Sequence, residues 1–243
     1  MTIKKFPQSC ILVSTGKTKI LIDPGVIDFD EKFLPDWKSA DAVLVTHRHG
    51  DHFHAEVLGG PKPSHKRRLD KNPAFAGACD RQTLNKPIYS TAEVANSLAK
   101  NSPTKINIVK GGDKFKIGGV TIEVTRAVHG YIPIMKPNGA EILENIGFIL
   151  DDGKTRLYFT GDTMCFNNDY RADILVAPIT SHGVTFTAFP LALYAKEVGA
   201  KTLLVVHQEK LLCPVDLKTE EQILRDQGVN YKIPSVGEVI DLK

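Results

Sequence analysis

Short apolar runs, separated by glycine, proline and polar turns, are the main hydrophobic pattern of this chain. Most are as long as a typical strand and shorter than a typical helix, and many are rich in β-branched residues. We predict strands at 9–14, 19–22, 42–45, 105–110, 114–117, 120–125, 146–150, 155–159, 172–179, 202–206 and 238–241. Helical spacing predicts helices at 91–100, 187–197 and 219–227, and a short helix or loop at 31–39. The pattern indicates an α/β (α+β) chain.

Glycine-containing turns join some of these strands. We predict one hairpin within 9–22, around Gly16, and a second within 146–159, with a turn of the Asp-Gly kind. The three runs between 105 and 125 predict a β-meander on one half of the molecule. Asp23 ends the strand 19–22 and is either a turn cap or a residue with a direct role.

Four of the apolar runs lead directly into histidine or aspartate. They end near residues 46, 128, 160 and 206 and are followed by His47, His129, Asp162 and His207. Sites commonly form at the carboxyl ends of strands, where a rigid sheet supports variable loops. We therefore expect these four side chains to converge on one site.

The densest chemistry lies in the segment 46–52, with the sequence THRHGDH, which follows a predicted buried strand. Imidazole nitrogen and carboxylate oxygen suit zinc and, to a lesser degree, iron or manganese, so a metal is the simplest occupant. If the backbone stays extended, His47 and His49 project to one side, while Asp51 and His52 face a second ion. The alternative is a solvated, histidine-rich turn.

Composition limits the classes of protein to which this chain can belong. With 243 residues and 42% apolar content, the chain can bury one large core, and we predict a single domain over 1–243. The four cysteines form no close pair, which argues against a disulfide framework and a cysteine-based zinc site. No signal peptide or membrane-spanning run is seen, which predicts a cytoplasmic protein without membrane contact. A net charge of +3 is too mild to imply nucleic acid.

A basic, proline-rich segment near 61–87 interrupts the strand pattern. We expect it to leave the core as an excursion or insertion. Its charges, among them Lys66, Arg67 and Arg68, form either a solvated face or a surface that contacts an anionic substrate or partner.

Taken together, these residues resemble the metallo-β-lactamase superfamily and, within it, the small single-domain hydrolases that include the L-ascorbate-6-phosphate lactonase-like proteins. The resemblance runs in order through Asp23, the H-x-H-x-D-H motif at 47–52, His129, the Gly161-Asp162-Thr163 turn and His207. It implies a four-layer αβ/βα sandwich with the site in the cleft between two sheets.

The same resemblance implies a ligand set and a reaction. His47, His49 and His129 would hold one metal, Asp51, His52 and His207 a second, and Asp162 would bridge them. Two divalent cations, with zinc preferred and manganese or iron as alternatives, would supply a metal-bound water or hydroxide to a small ester, lactone or phosphoester. Asp51 would also orient that water or receive its proton. Histidine at position 49 resembles the hydrolytic members and not the flavodiiron electron-transfer proteins.

His182 departs from the family pattern, as does the segment 61–87. It follows the predicted strand 172–179, and we expect it to contact substrate or to protonate a leaving group. We assign His54 to a helix start or to support of the ligands, with substrate contact as the alternative. Three alternative functions stay open: a mononuclear iron oxygenase on the same scaffold, a nuclease, and a non-catalytic binding module. We predict a small-molecule substrate, anionic if the basic segment contributes, and leave the homo-oligomeric state open.

Overall fold

The computed structural model describes residues 1–59, 83–98, 104–130, 144–166, 169–180, 184–208 and 216–242. Across these residues the chain forms two mixed sheets of seven strands. The first sheet contains β1 Thr2–Lys5, β2 Ile11–Thr15, β3 Thr18–Ile22, β4 Ala42–Leu44, β5 Ile88–Ser90, β6 Ile106–Ile108 and β14 Val239–Asp241. The second contains β7 Lys114–Ile117, β8 Val120–Ala127, β9 Asn145–Asp151, β10 Arg156–Phe159, β11 Ile174–Pro178, β12 Thr202–Val206 and β13 Tyr231–Lys232.

Helices cover the outer face of each sheet. They are α1 Leu34–Lys38, α2 Ala92–Ser97, α3 Ala188–Glu197 and α4 Leu217–Asp226. One apolar core fills the space between the sheets, where Ile22 and Leu44 pack with residues such as Phe148. A second core lies under α1 and α2, and a third under α3 and α4. These layers form the predicted four-layer αβ/βα sandwich.

Strand direction determines where a site can form. The first sheet runs in the order β14-β1-β2-β3-β4-β5-β6, and β3 to β6 are parallel. The second runs in the order β13-β12-β11-β10-β9-β8-β7, with β10 to β13 parallel. Since β8 and β10 are both antiparallel to β9, they end at the same edge of their sheet. Loops after strands of either sheet can therefore meet over one cleft.

Local sequence signals predicted most elements correctly. Thr91 caps α2 by accepting a hydrogen bond from the Val94 backbone N–H. The β9–β10 hairpin turns at Gly153, which has a φ of +83° that suits glycine. The final strand β14 pairs with β1 at the edge of the first sheet.

The predicted β-meander between 105 and 125 is wrong in one respect. β7 and β8 form a hairpin in the second sheet, but β6 lies in the first sheet, parallel to β5. The alternation of the β6 residues fits an edge strand of either sheet, so the sequence does not distinguish the two. A turn with Gly112 at a φ of +100° carries the chain from one sheet to the other.

Two further expectations concern the basic segment and contact with a membrane. Most of the basic segment 61–87 lies outside the described residues, as do Lys66, Arg67 and Arg68. No helix in the described ranges is long and apolar enough to cross a membrane.

Candidate metal centre

The loops at the carboxyl ends of strands from both sheets carry the predicted site residues. His47 follows β4 in the first sheet, while His129, Asp162 and His207 follow β8, β10 and β12 in the second. The structure brings all of these side chains into one cleft, together with His49, Asp51 and His52 from the loop after β4.

The side chains form two adjoining groups. In the first, one ligand atom from each of His47, His49 and His129 lies within 4.8 Å of the others. The second group satisfies the same distance with four buried residues, which are Asp51, His52, Asp162 and His207. Asp162 lies between the groups: its Oδ1 is 3.3 Å from His52 Nε2, and its Oδ2 is 3.8 Å from His129 Nε2.

The H-x-H-x-D-H segment turns after its second histidine. The backbone N–H groups of His52 and Phe53 donate to the His49 carbonyl at 3.0 and 2.8 Å, so the chain turns at His49. This turn directs His52 into the second group although His49 belongs to the first. One short loop thus supplies both groups.

Three buried polar atoms test whether the cleft fits a metal. His129 Nε2 has no hydrogen-bond partner although it is inaccessible to solvent, and the equally inaccessible His52 Nε2 and Asp162 Oδ1 face each other at 3.3 Å outside regular hydrogen-bond geometry. Leaving such atoms unsatisfied is costly unless another species binds them. Imidazole nitrogen and carboxylate oxygen are donors for zinc, iron or manganese. The residues therefore fit a cation in this cleft.

Asp23 fixes the orientation of His52. Its Oδ2 lies 2.6 Å from His52 Nδ1, and it accepts hydrogen bonds from the backbone N–H and the hydroxyl of Thr46, both at 2.7 Å. With Nδ1 engaged by the carboxylate, His52 presents Nε2 to the cleft. Asp23 is thus neither a simple turn cap nor a member of the two donor groups.

Close packing and an unusual backbone conformation support the other ligand loops. Gly25 lies against the backbone of Asp51, so any Cβ at position 25 would overlap it. Gly161, which precedes Asp162, has a φ of +61°. His207 also lies in the left-handed region, with a φ of +65°, which costs free energy for a non-glycine residue.

A buried lysine stabilises the loop that holds His207. The backbone N–H of His207 donates to the Gln8 carbonyl at 3.1 Å. The same carbonyl accepts from Lys5 Nζ at 2.6 Å, and Lys5 is only 1% exposed. Lys5 and Gln8 were not among the residues predicted from the sequence. Alternation along β1 was the available signal, since Lys5 occupies the same face as buried Ile3.

Burial and neighbouring charges shift the pKa values of the proposed ligands in different directions. Burial alone would raise the pKa of Asp51, but His52 and the contact with His207 lower it to about 2. Burial also opposes ionisation of Asp162, yet His52 and His207 hold its pKa well below the ordinary value. Burial, reinforced by His52, lowers the pKa of His47 well below its usual range. The carboxylates of Asp51 and Asp162 are therefore ionised at neutral pH, and His47 is neutral.

The sequence also singled out two other histidines. His182 lies outside the described residues, and its role stays a prediction. His54 is buried, and its ring packs edge-on against Phe29 at 4.8 Å between centroids. Burial lowers the pKa of His54 to about 4, which is consistent with a neutral packing residue.

Comparison with known proteins agrees with this architecture. A family model described as a beta-lactamase superfamily domain matches residues 2–207. The chain belongs to the metallo-β-lactamase superfamily. A protein named UPF0173 metal-dependent hydrolase, from Listeria monocytogenes, is 25% identical over 253 residues, covering 100% of each chain. The lactonase-like subgroup stays a prediction.

Solved structures of this superfamily fold differ in chemistry. Igni18, described as a metallo hydrolase from Ignicoccus hospitalis, superposes with a TM-score of 0.73 at 20% identity, covering 100% of this chain and 99% of its own. CmlA, a diiron β-hydroxylase from Streptomyces venezuelae, gives a TM-score of 0.66 at 11% identity, covering 99% of this chain and 54% of its own. At these identities the likeness shows the fold alone, so the reaction must be argued from the site.

Proposed function

We propose that this metal-dependent hydrolase holds two divalent cations, zinc first with manganese or iron as alternatives, and cleaves a small ester, lactone or phosphoester. The observation that carries this proposal is the meeting of two buried donor groups at Asp162, where His129 Nε2 has no hydrogen-bond partner. The name of the Listeria relative supports the reaction class.

Each of the two donor groups would hold one cation. His47, His49 and His129 would hold one cation, and Asp51, His52 and His207 the other, with Asp162 shared. Bound there, the cations would lower the pKa of a water molecule and polarise the carbonyl or phosphoryl oxygen of the substrate. The buried setting strengthens such electrostatic effects because little water screens them.

Asp51 is suited to orienting the attacking water. Its Oδ2 lies 2.6 Å from His207 Nε2, and its side chain retains 12% exposure, more than the 2% of Asp162. Because its pKa is held to about 2, Asp51 stays ionised and accepts a hydrogen bond more readily than it keeps a proton. The proton for the leaving group would come from another residue, and His182 is our candidate. His182→Ala should then lower kcat/KM by about 10²-fold with unchanged metal content.

Metal removal and reloading test the proposal. We expect chelator-treated protein to lose hydrolysis of a panel of lactones, p-nitrophenyl esters and phosphoesters, and zinc or manganese to restore it at about two ions per chain. Arg171→Ala, at an exposed site away from the proposed ligands, serves as the control and should behave as the parent protein does. Full turnover after complete metal removal would refute the proposal.

An iron oxygenase is the second candidate. The histidine and carboxylate donors favour it because they also suit iron, and the diiron hydroxylase CmlA is an iron protein with this fold. Iron-loaded protein that consumes oxygen, while zinc-loaded protein leaves the panel intact, would favour the oxygenase over the hydrolase.

A further inference from the structure

Apolar side chains stand exposed around the metal centre. Val26, Ile27, Val128 and Met164, here called the apolar rim, are between 37% exposed for Ile27 and 58% exposed for Val128. Exposed apolar patches next to a polar site often mark ligand-binding surfaces, because binding removes them from water.

The first sheet contributes one side of the rim. The backbone N–H groups of Val26 and Ile27 donate to the Gly50 carbonyl at 2.6 and 3.1 Å. Their side chains lie over Gly50: a Cβ placed there would be 3.3 Å from Val26 Cγ1 and 3.7 Å from Ile27 Cγ1. Gly50 directly precedes Asp51. These two side chains therefore border the loop that carries the donors of both groups.

The second sheet contributes the other side. Val128 directly precedes His129, and Met164 follows Asp162 by two residues. The Met164 backbone N–H donates to the Val128 carbonyl at 2.8 Å, which joins these two loops. Because donor atoms of Asp51 and Asp162 lie within 4.8 Å of each other, the two pairs of rim residues flank one centre.

Few cationic side chains adjoin the rim in the part of the chain that the structure describes. Among the described residues directly adjacent in sequence to a proposed ligand, Arg48 is the one cation, and its Nε is bound to Glu93 at 2.7 Å. The carboxylates of Asp51 and Asp162 would offset part of the charge of the two proposed cations. The four rim side chains are apolar, so they match a neutral group with apolar surface and offer no charged partner to a phosphate or a second carboxylate.

We infer that the hydrolase takes a neutral ester or lactone that carries an apolar group of several carbons beside the hydrolysed bond. The inference rests on the proposed function and narrows its substrate class. The rim would cover the apolar group while the polar centre receives the carbonyl. Each methylene covered adds binding free energy, so the preference should grow with chain length.

Binding tests this inference without relying on turnover. For the zinc-loaded protein we expect octanohydroxamate to bind at least about 10-fold more tightly than acetohydroxamate by calorimetry, since both share one headgroup. The double variant Ile27→Ser, Met164→Ser should lose most of that ratio while keeping its metal content. Leu193→Ser, at a residue of similar exposure on α3, should retain it. Equal affinities in the parent protein would overturn the inference.

Turnover separates this inference from the broader proposal. We expect kcat/KM to rise at least about 10-fold from p-nitrophenyl acetate to p-nitrophenyl octanoate, and bis(p-nitrophenyl) phosphate to be a poorer substrate than either. Hydrolysis that is independent of acyl length, or faster on the phosphodiester, would overturn the inference and leave the hydrolase standing. No turnover across the panel, together with selective hydroxamate binding, would count against the hydrolase and support the apolar rim.

Discussion

The two halves of the proposed metal centre are built differently. The first half contains three imidazoles, from His47, His49 and His129, and two of these residues retain partial exposure. The second half is buried throughout and contains two carboxylates beside His52 and His207. Two carboxylates oppose the charge of a divalent cation more effectively than neutral imidazoles do.

The supporting contacts are also unequal. In the second half, Asp23 holds the His52 ring, and the Gln8 carbonyl holds the His207 backbone. In the first half, His129 Nδ1 lies 2.7 Å from the Gly130 carbonyl, and His47 Nδ1 lies 3.0 Å from the Thr46 hydroxyl, without a carboxylate on either ring. A preorganised, charged donor set loses less freedom on binding. We therefore expect the second position to bind its cation more tightly than the first.

Removing Asp162 should have the largest effect, because it lies between both halves. Asp162→Ala should lower metal content at both positions and reduce kcat/KM by at least about 10³-fold. Elemental analysis and steady-state kinetics measure the two outcomes. Asp226→Ala, an exposed carboxylate on α4, is the matched control. Parent-like occupancy in Asp162→Ala would refute the shared role.

Asp23→Asn addresses chiefly the second half, because Asp23 contacts His52 directly and reaches His47 only through the Thr46 hydroxyl. The variant keeps the side-chain size but weakens the charge that orients His52, and loss of such a supporting carboxylate typically costs about 10–100-fold in metal affinity. A cobalt titration followed by absorption should show the tighter phase weakened more than the looser phase. Equal weakening of both phases would mean that the halves are not independently supported.

Proton competition should also distinguish the halves. Burial opposes protonation of His52, but Asp162, Asp51 and Asp23 outweigh it and raise its pKa well above the usual value. Metal must displace this proton, so affinity at the second position should rise with pH, by about tenfold per unit for each proton released. The pKa of His47 and of His129 is lowered, chiefly by burial, so the first position should respond less. Calorimetry between pH 6 and pH 8 would show the two slopes, and identical slopes would contradict this difference.

The same pKa values determine the stability of the metal-free protein. A raised pKa at His52 stabilises the folded state below the unfolded value of about 6.5, and this contribution is lost as pH rises through the folded pKa. The lowered pKa values of Asp51 and Asp162 contribute stability above about pH 4 that is lost in acid. The metal-free protein should therefore be most stable between about pH 4 and about pH 6.5, and thermal melts should show Tm falling on both sides of this range.

The smallest effect is expected from Lys5→Met. Removing the ammonium takes away one of the donors to the Gln8 carbonyl. The free energy of unfolding should therefore fall by about 1–3 kcal/mol. Affinity at the second position should fall by only about threefold, since Gln8 still accepts from His207. Lys4→Met, on the other face of β1, removes a half-exposed pair with Asp36 and should change either quantity little. Equal effects of the two variants would remove the role assigned to Lys5.

Many residues of the proposed centre could be predicted from the sequence. The contacts that support them depend on how the strands pair, which the sequence does not show. The residues that follow the apolar runs, such as His129 and Asp162, were predicted because each comes directly after a strand. The contact of Asp23 with His52 was not, since it requires β3 to pair in parallel with β4 so that the Asp23 N–H reaches the Leu44 carbonyl at 2.9 Å. Lys5 was missed because no strand was predicted over 2–5 and because a lysine is ordinarily solvated.

Anomalous diffraction from zinc-loaded crystals tests the central claim most directly. The account predicts two peaks about 3.5–4 Å apart, one among His47, His49 and His129 and one among Asp51, His52 and His207, with Asp162 contacting both. At limiting zinc, the peak beside His52 should fill first. A single peak at saturating zinc, or two peaks of which only one contacts Asp162, would contradict the account.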